Sequence, residues 1–244
     1  MTTLAPSPAP STTGTPFLGT ARLTGLLYLA LGVTGIVGFL LIRPLLFDPD
    51  DPAASVANLI DHELLARVGI AIDLALVAAQ ALAALWFYKL FRSVDAFAAG
   101  AIAVFGMVNA VAILSSTAFV ATALDSALAD PAGRVGEPQL MYLVSENMWG
   151  VSTVFFGLWL VPMGWCVLRS ARMPRLLGWV LMVGGVGYVL SAFTGYLLPD
   201  AGCVAAALVV PATIGEFWMI GYLLVKGDKG MAAGERSRLV RNSE

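Results

Sequence analysis

Apolar residues run along the chain in six long stretches, 21–42, 66–88, 96–122, 142–168, 175–198 and 203–225, with few polar side chains inside them. A helix needs about 20 such residues to cross the roughly 30 Å hydrocarbon core of a bilayer. The pattern predicts an all-α fold, a polytopic transmembrane bundle of six spanning helices. Helix breakers separate the stretches. Arg43-Pro44 closes the first, and Asp130-Pro131 with Gly133 and Gly136 fills the third connection. Met173-Pro174 divides the fourth from the fifth, and Pro199-Asp200-Ala201-Gly202 the fifth from the sixth.

Residues 1–19 are rich in Pro, Ser and Thr and carry no Lys or Arg. A cleaved leader has a basic start, so this segment reads as a disordered tail ahead of a retained helix. Residues 228–244 read as a second disordered tail. The transmembrane domain is 20–227.

Composition agrees with a lipid solvent. The 244 residues are 59% hydrophobic and 12% charged, against about half and about a quarter in soluble domains. So few charges leave too little polar surface for a water-soluble globule. A net charge of −2 with scattered basic residues excludes a nucleic-acid surface. The bilayer is the expected partner, and the plasma membrane of a bacterium the expected location.

Lys and Arg stay on the cytoplasmic side during insertion. Eleven of the 14 fall in the segments that share a side with the termini, leaving Arg43, Arg67 and Arg134 on the other. Both termini are thus expected in the cytoplasm. The connection 43–65 would lie outside. Pro52 at a first-turn position and Val56, Leu59, Ile60 and Leu64 at helical spacing predict a short amphipathic helix there, at the interface.

Ionisable groups inside a span are costly and usually face the protein interior. The candidates for binding a ligand or ion are Asp73 and Gln80 in the second span, Asn109 in the third, Glu146 in the fourth and Glu216 in the sixth. Asp73 and Gln80, seven apart, share a helix face. At about 1.5 Å per residue, Asp73 lies roughly 10 Å below the outer end of its span. Asp73 and Glu146 can share an outer cavity with Asn109 at its floor, and Glu216 sits beyond the centre. The alternative is plain interhelical hydrogen bonding, worth about 0.6 kcal/mol on average.

His62, Glu63 and Arg67 form a cluster at the entrance of the second span, and Glu63 and Arg67 can pair at four-residue spacing. A lone histidine and two separated cysteines, Cys166 and Cys203, give no metal or disulfide motif. Asp48, Asp50 and Asp51 lack the calcium-loop pattern. No cofactor is expected. Gly184, Gly187 and Ser191 make a small-residue stripe for close helix packing. Pro162 and Pro211 predict kinks. Tyr28, Trp149, Trp159, Trp165 and Trp179 read as an interfacial aromatic belt.

Three segments resemble the bacterial multipass family named domain of unknown function 4386. They are Ala21-Arg22-Leu23-Thr24-Gly25-Leu26-Leu27-Tyr28, then Asp51-Pro52-Ala53-Ala54 through Glu63-Leu64-Leu65-Ala66-Arg67-Val68-Gly69-Ile70 to Asp73-Leu74, and Pro211-Ala212-Thr213-Ile214-Gly215-Glu216 with Leu223-Leu224-Val225-Lys226-Gly227. The resemblance implies a six-helix or similar multipass protein and carries no activity.

Two functional readings stand. One is a small transporter, channel or ligand-binding membrane protein built on Asp73, Asn109 and Glu216, taking a small-molecule or ion ligand. The other is a non-catalytic accessory or sensory protein that uses 43–65 to contact a second copy or another membrane protein. An enzyme acting on lipid ranks last, because no nucleophile–base or metal constellation is present.

Overall fold

A computed structural model describes residues 18–130 and 135–226. The terminal segments read as disordered tails lie, but for Leu18 and Gly19, outside the described residues. Among the described residues there is no strand. The helices are α1 (Leu18–Gly35), α2 (Arg43–Leu46), α3 (Pro52–Asp61), α4 (Glu63–Phe91), α5 (Ala96–Ala129), α6 (Gly136–Ser170), α7 (Arg175–Leu197) and α8 (Gly202–Val225). Six of the described helical stretches are long and apolar enough to cross a membrane. At about 1.5 Å per residue the 34 residues of α5 and the 35 of α6 exceed the hydrocarbon core, so their ends stand clear of it.

The first span differs from the expectation at its end. Arg43-Pro44 does not close it; the helix continues to Leu46. Proline has no N–H and its ring clashes with the carbonyl four residues back, so it breaks the α pattern. Here the break is a widened π turn, Ile36–Ile42, closed by Arg43 N–H on Gly38 O. The chain runs on through α2 and carries Arg43 inside the bundle, where it is 5% exposed.

Local signals set the other ends. Asp51 caps α3 by accepting from Ala53 and Ala54 N–H at 2.9 and 3.0 Å, with Pro52 at the first turn. Asp95 caps α5 through Ala98 N–H at 3.1 Å. Ala171, at φ 52°, turns the chain out of α6 in a left-handed C-cap.

The six spans pack in chain order as a ring, α5 on α6, α6 on α7, α7 on α8, and the first span closes it against α4 and, along a thinner seam, α8. Glycines let α7 approach both neighbours. A Cβ on Gly184 would collide with Ala212 of α8 and one on Gly187 with the Leu208 carbonyl, while one on Gly185 would lie 2.8 Å from Gly157 O of α6. The small-residue stripe is therefore a packing face.

Trp159 occupies the bundle centre at 1% exposure, edge-on to Tyr28 and Phe87 with centroids 5.8 and 5.6 Å away. Gly106 makes room for it: a Cβ there would lie 2.6 Å from the indole. Trp159 and Tyr28 thus belong to the core and not to a belt, whereas Trp165 and Trp179 are exposed.

The segment after the first span folds onto the bundle end. Leu46, Phe47, Val56 and Leu59 are buried. Phe47 stacks on Tyr142 with centroids 4.3 Å apart, and the Gln139 amide donates to Asp48 O and Pro49 O at 3.1 and 2.9 Å. The predicted amphipathic helix is α3. It ends at His62, and Leu64, grouped with it by periodicity, is exposed on α4.

Candidate functional site

Two polar clusters lie inside the bundle. The first joins four helices. Arg43 Nη2 donates to Asp73 Oδ2 at 2.9 Å, and both side chains are 5% exposed. Arg43 Nη1 donates to Ser145 Oγ of α6 at 3.1 Å. Ser145 Oγ shares a 2.6 Å hydrogen bond with Ser116 Oγ of α5. The guanidinium also lies over the Phe39 ring, 5.1 Å from its centroid. Gly38 supplies the space, since a Cβ there would sit 2.7 Å from Asp73 Oδ1. Both terminal nitrogens of Arg43 meet protein acceptors, so the cluster ties the first span to α4 and α6.

The second cluster faces a cavity of about 440 Å³. Glu216, on α8, accepts a 2.7 Å hydrogen bond from Tyr28 Oη of α1. The Tyr188 hydroxyl of α7 faces the same carboxyl. Helical spacing builds the walls: Gly32, Gly35, Ile36 and Phe39 from the first span, Trp149, Thr153 and Phe156 from α6, and Thr213, Glu216, Phe217 and Ile220 from α8. Of the lining residues, Ile36, Leu40 and Phe217 are 40%, 61% and 55% exposed. The mouth therefore opens sideways, between the first span and α8, with an apolar rim.

The cavity does not join the acids grouped by depth. Of the sequence candidates only Glu216 is in its wall. Asp73 is held by Arg43. Glu146 is exposed and accepts a 3.4 Å contact from Tyr142 Oη on its own helix. Gln80 donates to Gly106 O at 3.3 Å. Asn109 is fully buried, and neither of its amide atoms meets a protein partner among the described residues. At the entrance of α4, Glu63 and Arg67 pair at 2.7 Å on the exposed surface, and His62 stands exposed between α3 and α4.

A family model described as Domain of unknown function (DUF4386) matches residues 23–227. The chain belongs to this family. Neither a curated protein nor a solved structure matches it. The DUF4386 match runs from Leu23 in α1 past the end of α8, so it takes in both polar clusters.

Sequence reasoning missed five polar DUF4386-domain residues that the structure puts at these clusters, Arg43, Ser116 and Ser145 at the first and Tyr28 and Tyr188 at the second. By hydropathy alone Arg43 belongs to the loop after the first span. The apolar Leu45-Leu46-Phe47 that follows Pro44 is the signal that the span runs on. Tyr28 and Tyr188 carry no such signal, because a tyrosine is tolerated at any depth where its hydroxyl finds an acceptor.

Proposed function

We propose that this integral membrane protein binds, within the bilayer, a largely apolar small molecule whose single polar group is held at Glu216. The observation that carries the reading is the cavity itself. Its volume lies in the usual ligand range of about 300–1,000 Å³. It is lined by apolar and aromatic side chains, with one carboxyl and two tyrosine hydroxyls gathered at one place. Its apolar rim faces the region lipid tails occupy, so the ligand enters from the hydrocarbon phase. The Lys- and Arg-rich face is assigned to the cytoplasm of a bacterial plasma membrane. The ligand is bound for passage or sequestration, with no bond made or broken.

The accessory reading is less well supported. It needs the 43–65 segment to be presented to a partner, yet the apolar face of that segment is buried against its own bundle.

The test uses the purified protein in phosphatidylcholine nanodiscs, with 11-bromoundecanol as a membrane-soluble probe. Bromine quenches tryptophan on contact, and Trp149 lines the cavity. Saturable quenching is expected in the wild type. Gly32→Phe should abolish it, because a Cβ at Gly32 meets nothing nearer than Ile220 at 4.0 Å and the ring would fill the cavity. Equal quenching in both proteins, or quenching that rises linearly without saturation, overturns the reading.

A further inference from the structure

The two acids inside the bundle, Asp73 buried and Glu216 part-buried, differ in what neutralises them. Charged groups inside a membrane protein pair with an opposite charge or with a hydrated path. Asp73 follows the rule through Arg43 at 2.9 Å. Glu216 does not. Its partners are the tyrosine hydroxyls, and among the described residues no cationic side chain pairs with it. No Lys, Arg or His lines the cavity it faces. Arg43, which stacks on Phe39, has its charge matched by Asp73.

Beside the unmatched carboxyl runs a continuous aromatic wall. Phe39 and Trp149 have centroids 4.9 Å apart, Trp149 and Phe156 6.0 Å, and Phe156 and Tyr188 6.1 Å. The wall ends at the tyrosine that faces Glu216. Ring faces carry negative electrostatic potential, and a cation within about 6 Å of a centroid is attracted to them. Aromatic rings and one carboxyl, with the one nearby protein cation held at the far end of the wall on Phe39 and matched by Asp73, make a site for a positive charge carried on an apolar body.

We infer that the ligand class of this cavity is a lipophilic organic cation, an alkyl ammonium or amine whose charged end lies between Glu216 and the Trp149–Phe156–Tyr188 wall while its tail fills the apolar remainder. The inference rests on the cavity reading above and narrows it. The ligand supplies the counter-charge that Asp73 obtains from the protein. A neutral alcohol of the same length fits the apolar part and gains only a hydrogen bond. A carboxylate meets a like charge and is excluded.

Three probes with one tail separate these cases: 11-bromoundecyl-trimethylammonium, 11-bromoundecanol and 11-bromoundecanoate. Each is titrated into nanodiscs at pH 7.5, with concentrations expressed per lipid to remove partitioning. The cation should bind about tenfold or more tightly than the alcohol, and the carboxylate should not saturate. Glu216→Gln, which keeps the size and the tyrosine contacts, should weaken the cation about tenfold and leave the alcohol nearly unchanged. Gly32→Phe should block cation and alcohol alike. Gly35→Leu, whose Cβ meets only Leu76 at 3.8 Å, is the second blocking variant should the first prove misfolded by size exclusion. Equal binding of cation and alcohol, both blocked by filling, overturns the cation class and leaves the cavity standing. Binding of every probe that neither filling variant alters overturns the cavity reading itself.

Discussion

Replacing Asp73 with Asn keeps the shape of the side chain and removes its charge. Arg43 then stays 5% exposed with its bond to Ser145 and its contact with Phe39, but without an anion. Removing one partner of a buried ion pair in a soluble protein costs about 3–5 kcal/mol, mostly because the other charge is left unmatched. In a bilayer the unfolded helices also find polar partners, which lowers such values, and the retained Ser145 bond offsets part of the rest. The expected destabilisation is therefore about 3 kcal/mol. The double variant Arg43→Met/Asp73→Leu removes both charges with apolar groups of similar length. It should return to within about 1 kcal/mol of the wild type or exceed it. Unfolding in mixed micelles, followed by tryptophan fluorescence against the mole fraction of dodecyl sulfate, measures all three. An Asp73→Asn curve within about 0.5 kcal/mol of the wild type refutes the buried-pair argument. So does a double variant no more stable than the single one.

Other outcomes follow from the same geometry. Gly187→Leu should lower the unfolding free energy by about 1–3 kcal/mol through overpacking against the Leu208 carbonyl, whereas Gly195→Leu, with open space around it, should be nearly neutral in the same titration. At the loop before α5, the Ala98 amide, the Trp165 indole and the Arg169 guanidinium hold the Asp95 carboxyl below the usual carboxylate range. A depressed folded value means its stabilisation is complete above about pH 4 and disappears as pH falls through that folded value. The melting difference between wild type and Asp95→Ala should therefore be constant near neutrality and shrink in strong acid. Cys203 is exposed and Cys166 buried; an impermeant maleimide added outside intact cells should label Cys203 alone, and labelling only after lysis would reverse the orientation.

The six spans were legible because each carries more apolar residues than a soluble helix tolerates. The packing role of Gly184 and Gly187 was legible because close approach needs a missing Cβ. Glu216 stood out through the cost of an acid in hydrocarbon. What the sequence concealed was pairing across distance. Arg43 and Asp73 are 30 residues apart, and Pro44 has two physical outcomes, an end or a widened turn. Only the packed neighbours select between them. Trp159 was misplaced for a similar reason: the pocket it fills is made by Gly106 and Ala84, on other helices. Depth along each helix grouped Asp73, Asn109 and Glu146, but rotation about the axis separates them, turning Asp73 to Arg43 and Glu146 outward.

The bond between Tyr28 and Glu216 spans 188 residues, while most other helix contacts join consecutive spans. Chains are made from the N-terminus, and local units form before distant ones meet. Five helices can thus settle beside their neighbours before the last enters, yet none of them can complete the Glu216 chamber. Its assembly waits for α8, and a chain stalled short of α8 would hold a hydrophobic bundle with one wall of that chamber missing. Closure of the chamber is in this way tied to the synthesis of all six described spans.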